Sequence, residues 1–127
     1  MNGNYLKLNV NPKNRKTTDC VIRAIVSATG KDWYEVLDAL YAIARKKAYM
    51  LDDKPVYETY LKENGFHKQS CHPMAGERRE TVKGLAGTLN KPAVVQVASH
   101  LVAIDGKGNY IDTWDSGDKC AYTLWVK

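Results

Sequence analysis

No stretch of this chain stays apolar long enough to approach a membrane span, and its opening, Met1-Asn2-Gly3-Asn4-Tyr5-Leu6-Lys7, lacks the long hydrophobic segment of a secretory signal. The expectation is a soluble protein of the cytoplasm, with no membrane partner. Cysteine is scarce: Cys20, Cys71 and Cys120 are odd in number and widely spaced, so a complete disulfide framework is excluded and at least one thiol is free. That pattern fits a reducing compartment. Internal repeats and low-complexity linkers are missing, and 127 residues at 44% hydrophobic content suit one domain over 1–127 with one core. Also missing are the paired ligand spacings of structural zinc sites. His67, Cys71 and His72, which Cys120 could join, form the only cluster suggesting a metal, and they read as ordinary loop residues. Gly106 and Gly108 belong to a turn rather than a phosphate loop. Neither a metal nor a cofactor is expected.

Positive charge is in excess, at +5, partly from the clusters Arg15-Lys16, Arg45-Lys46-Lys47 and Arg78-Arg79. Such a balance attracts nucleic acid or an acidic partner over long range. Yet lysine and arginine also complement the dipole at helix C-termini. Without an aromatic-rich binding motif beside the charge, solvated helix ends are the simpler reading, and a nucleic-acid partner is the minor one.

The first half of the chain has helical periodicity and the last third reads as strands, which defines an α+β domain: a helical layer packed on a small C-terminal antiparallel sheet. Tyr5 to Val10 alternates as a short edge strand before Asn11-Pro12-Lys13-Asn14 breaks it. Val21, Ile22, Ala24, Ile25, Val26 and Ala28 predict a largely buried helix from Cys20 to Thr29, with Thr18 or Asp19 as its N-cap and Gly30 as its stop. Asp32 with Glu35 resembles a capping box opening a second helix, and Pro55 suits the first turn of a third that Gly65 ends. His67 to Gly76 reads as irregular, Thr81 to Leu89 as a short helix. The β-branched runs Ala93 to Val97 and His100 to Ile104, the turn Asp105-Gly106-Lys107-Gly108, the return Tyr110 to Trp114 and a last strand within Cys120 to Val126 complete the sheet.

Cys20 falls in the first turn of its helix, where the positive end of the dipole favours a thiolate, the reactive form of cysteine. Asp19 opposes this, because an adjacent carboxylate raises a thiol pKa. His100 is therefore the expected activator, taking the thiol proton and later giving one to a leaving amine. The hairpin brings Asp112 back beside that ring, to fix its tautomer, with Asp115 in reserve because a one-residue register shift exchanges strand faces. Trp114 is placed to cover the pair. The Cys20 backbone N–H and the Asn14 side-chain amide are the candidate oxyanion donors. Taken singly, Cys20 reads as a buried apolar residue and Asn14 and Asp112 as turn or cap residues; their combination with His100 shifts the balance toward chemistry.

With Asn14 six residues before Cys20, a helix next, and His100 and Asp112 on strands, the chain resembles the papain-like cysteine peptidase superfamily, Asn14 standing where that family has Gln. The Asp19-Cys20 pair is most similar to the bacteriocin leader peptidases that cut after double-glycine leaders, and Asp112-Thr113-Trp114 to papain's Asn-Ser-Trp segment. Thr17-Thr18-Asp19-Cys20 and Tyr110 to Asp115 also resemble the start and end of small phage and bacterial proteins. The resemblance implies a papain-like fold and a thiol protease. The leading expectation is a cysteine hydrolase or acyl transferase acting on a peptide or amide bond of a peptide or protein substrate, through a Cys20 thioester. The substrate would enter beside the helix opening, with the His67 to Gly76 loop bordering the cleft. The alternative is a catalytically silent papain-like module, a phage or bacterial accessory protein that binds a protein or nucleic-acid partner.

Overall fold

A computed structural model describes residues 1–71 and 78–127. In chain order the elements are β1 (Asn4–Lys7), α1 (Cys20–Thr29), α2 (Trp33–Lys47), α3 (Lys54–Glu63), β2 (His67–Ser70), α4 (Val82–Thr88), β3 (Ala93–Val97), β4 (His100–Ile104), β5 (Asn109–Asp112) and β6 (Thr123–Val126). The class is α+β, with four helices among the described residues, but the sheet is neither small nor purely antiparallel. It has six strands in the order β1-β5-β4-β3-β6-β2, and β1 runs parallel to β5 with Tyr5 opposite Tyr110. No helix is long and apolar enough to cross a membrane, among the described residues.

Local signals explain where the helices begin and end. Asp32 accepts from the Tyr34 and Glu35 backbone N–H groups and starts α2. Thr81 does the same for α4 through Gly84, and Gly30 closes α1 at φ 75°. The continuous apolar runs in β3 and β4 have a simple cause: the sheet is covered on both faces. Val94, Leu101 and Ala103 pack toward α1, α2 and α3 on one side, whereas Val95, Val102 and Ile104 pack toward α4 on the other. Ile25, Val36, Leu40 and Leu61 are fully buried in the first of these layers. Each such side chain contributes about 1.5–3 kcal/mol over its exposed state. Helix α1 is thereby packed against β4, whose first residue is His100.

The β4–β5 hairpin depends on Gly106 at φ 77°, where a Cβ atom would come within 2.6 Å of the Lys91 backbone. Its register sets Ala103 opposite Ile111 and Ile104 opposite Tyr110. Extended one step, that ladder sets Asp112 across from Val102, at the end of the sheet where His100 opens β4.

Candidate active site

Asp19 occupies the N-cap of α1, yet its side chain caps nothing. Its carboxylate is engaged elsewhere: Oδ1 accepts from Arg23 Nε at 2.8 Å, and Oδ2 accepts from Trp33 Nε1 at 3.0 Å and Asn11 Nδ2 at 3.2 Å. Asp19 is 6% exposed and its charge is met by a guanidinium one helical turn away. The neighbour expected to oppose a thiolate at Cys20 is thus turned into a structural anchor. Cys20 itself, as the first residue of α1, has a backbone N–H with no intrahelical carbonyl to bond.

A two-residue turn, Ala98-Ser99, delivers His100 at the head of β4, with Ser99 held at φ 55°. On one side of the ring, Nε2 lies 2.6 Å from Asp112 Oδ2. Facing a carboxylate, that nitrogen is the proton donor, so Nδ1 is the nitrogen left for the thiol. Asp112 is buried and tightly held: Oδ2 also accepts from Ser116 Oγ at 2.8 Å, Oδ1 from the Thr113 N–H at 2.7 Å, and Arg23 Nη1 stands 3.6 Å from Oδ1. Arg23 therefore links the carboxylate behind the nucleophile to the carboxylate behind the imidazole. The indole of Trp114 lies over the His100 ring, centroids 5.1 Å apart at 33°.

Cys20 and His100 each alter the other's ionisation. Burial pushes the Cys20 thiol up, and His100, the Leu101 backbone N–H and the Arg23 charge together outweigh it, leaving the thiol below its ordinary range. For His100, burial pulls the ring down, and Asp112 and Cys20 outweigh that, so its pKa is pushed up to about 9. Both directions favour a thiolate–imidazolium pair. Cys71 goes the other way, raised chiefly by burial.

The thiol and ring open onto a cleft of about 330 Å³ whose walls include Tyr57, Gln96 and Ser99, with Asp52, Asp53 and Lys54 at the start of α3 as its rim. Three expectations are corrected here. Asn14 does not line this cleft. It sits at φ 53° in a turn braced by Asn9 and Asn11, its Oδ1 accepting from Asn9 Nδ2 at 3.3 Å, and it faces a neighbouring cavity of about 660 Å³ beyond Trp114. Asp115 does not face His100 either: it accepts from Tyr110 Oη at 2.6 Å and the Gly117 N–H at 3.0 Å, pinning the corner after β5. Finally, His67–Ser70 is the edge strand β2, separated from β4 by β3 and β6, so it cannot border the cleft. The rest of that expected loop, 72–76, lies outside the described residues, as does His72 of the metal cluster considered above.

Gln96, Arg23 and Ser116 were missed. Gln96 is the lone polar side chain in the apolar run of β3, and it is the side-chain amide that lines the cleft. Arg23 interrupts the apolar helix α1 at the i,i+4 spacing from Asp19 that signals an ion pair. Both were legible. Ser116, fully buried in a turn after β5, carried no such mark. Scans of this chain against protein-family models, curated proteins and solved structures returned no match.

Proposed function

We propose that the protein is a papain-like cysteine hydrolase or acyl transferase acting on a peptide or amide bond, a bacterial or phage-encoded enzyme working in the cytoplasm. The observation that carries this reading is the His100–Asp112 contact at 2.6 Å, with the Cys20 thiol lining the same cleft as that ring and near enough to shift its ionisation. The thiolate of Cys20 attacks the substrate carbonyl carbon, and the resulting oxyanion is met by the Cys20 backbone N–H. His100 then passes its proton to the departing amine, leaving the acyl group on sulfur as a thioester. Water, deprotonated by His100, attacks that thioester and releases the acid and the thiolate; an amine in place of water completes a transfer. Asp112 holds the ring through its bond to Nε2. The open cleft beside Tyr57 supplies room for the acyl side.

p-Nitrophenyl acetate, a small activated ester, tests the reading without knowledge of the natural substrate. The expected result is a burst of about one nitrophenolate per chain, an acetyl adduct mapped to Cys20 by mass spectrometry, and turnover that His100→Ala slows by about 10²–10⁴-fold. Release of nitrophenolate that persists in Cys20→Ala, or acetylation spread evenly over Cys20, Cys71 and Cys120, would favour the silent binding module instead.

A further inference from the structure

We infer that the larger cavity beyond Trp114 is a recognition site for an acidic peptide segment, the part of the substrate that departs with the amine. This rests on the acyl-transfer reading for its placement, while the charge preference stands on the cavity alone. Lys7, Arg15 and Lys16 line it, and among the described residues none of the three is in an ion pair. The one carboxylate in its wall, Asp19, already has both oxygens occupied by Arg23, Trp33 and Asn11. The cavity therefore carries uncompensated positive charge within a concave surface that concentrates its field. Thr17 and Thr18 add hydroxyl groups to the same wall.

The cations are mounted on ordered backbone. Asn11 Oδ1 accepts from the Lys13 and Arg15 N–H groups at 3.0 and 3.2 Å, and Asn9 Nδ2 donates to the Arg15 carbonyl at 3.1 Å. Asn11 in turn donates to Asp19, which ties the loop to the opening of α1. Lys7 projects from β1 at the position paired with Asp112. The loop backbone is thus already ordered, and binding has chiefly the exposed Lys7, Arg15 and Lys16 side chains left to order. The cleft that Cys20 lines has Asp52 and Asp53 with Lys54 at its rim, a net negative set, so the two clefts differ in sign.

Direction follows from the chemistry. His100 gives its proton to the leaving amine, Trp114 lies against His100, and Trp114 is also a wall of the basic cavity. A chain leaving from the ring side passes Trp114 into that cavity. Peptide is favoured over nucleic acid because the wall offers one exposed indole rather than a series of stacking platforms, and because a polynucleotide backbone presents no acyl carbon to Cys20.

The test uses the full chain with three short fluorescent peptides, acidic (Asp/Glu), neutral (Gly/Ser) and basic (Lys), read by anisotropy. The acidic peptide is expected to bind at least about tenfold tighter than the neutral one at low salt, and to weaken as salt rises. Arg15→Glu with Lys16→Glu should abolish the preference, its melting temperature showing that the chain is folded; Arg15→Gln with Lys16→Gln serves if charge reversal unfolds it. Placement is read separately: after acetylation of Cys20, free-amine acidic peptides should accept the acetyl group faster than basic ones. Equal binding of acidic and neutral peptides, a preference that survives both variants, or tight binding of oligothymidylate with none of acidic peptide would overturn the site. Acidic-peptide binding through Arg15 and Lys16 in a chain that acylates nothing would keep the site and sink the reaction.

Discussion

Iodoacetamide is expected to alkylate Cys20 at least about tenfold faster than Cys120, and faster still than Cys71, near neutral pH. A free thiol of pKa near 8.5 is only a few per cent thiolate at pH 7, so lowering it gains up to about thirtyfold in reactive form. Part of that gain is offset because a less basic thiolate is a weaker nucleophile. Cys71 is disfavoured twice, being partly buried and raised by that burial. The pH dependence follows from the two shifts at the site. Thiolate is present above the lowered thiol pKa, so labelling of Cys20 should persist as pH falls through the range where ordinary thiols go silent. Imidazolium is present below about 9, so acyl transfer, which needs both charges, should rise through the lowered thiol pKa and fall near pH 9. His100→Ala should slow labelling about tenfold by removing the ring that offsets the burial of the thiol. The check is peptide mapping by mass spectrometry over a pH series. Equal, slow labelling of all three cysteines is the outcome that would remove the activated thiol.

Asp112→Ala should be the most damaging single substitution at the site, in stability as well as chemistry. The carboxylate is 5% exposed and serves the His100 ring, the Ser116 hydroxyl, the Thr113 N–H and, at longer range, Arg23. Removing it strands donors and a cation in a buried network, at a cost of about 3–5 kcal/mol. Against a typical total of about 5–15 kcal/mol, that is a large fraction. Urea denaturation should show the midpoint falling steeply. Asp112→Asn keeps the shape and an acceptor oxygen for the ring but removes the charge, so it should stay folded, with His100 titrating lower than in the parent chain. If Asp112→Ala is as stable as the parent, the network around Asp112 is not what holds the end of β5.

The helices were readable because each is marked locally. Asp32 and Thr81 cap through their own side chains, Gly30 supplies a positive φ, and the five buried residues of α1 recur at positions a helix brings to one side. Strands β3 and β4 were marked by β-branched runs, and the pairing of β4 with β5 by a turn whose glycine is sterically required. Pairings between distant segments left no such trace. β2 is His-Lys-Gln-Ser, exposed throughout, and is a strand only because β6 offers it an edge. The parallel placement of β1 against β5 is likewise set by tertiary packing, through Tyr5 stacked on Tyr110.

The same division runs through the site. His100 and Asp112 could be matched because a hairpin brings the end of its second strand back to the start of its first, and Cys20 because a helix start is visible in sequence. Asn14 could not be placed, because its loop is built from side-chain bonds among Asn9, Asn11 and Asp19 that no periodicity reveals. Its turn residues were read as the end of a strand, and their role in presenting Arg15 and Lys16 emerged only in three dimensions. A neutralised Asp19 was equally beyond reach, since Trp33, one of its three partners, comes from the next helix.

The spatial meeting of thiol, imidazole and carboxylate is tested most directly by following the ring protons of His100 by NMR through a pH titration, with His100→Gln identifying its signals among the three histidines. The ring is expected to stay protonated up to about pH 9 and to titrate lower in Cys20→Ala, because the thiolate is one of the groups that hold its proton. A midpoint near the ordinary value of about 6.5, unmoved by loss of the thiol, would contradict the assembled site.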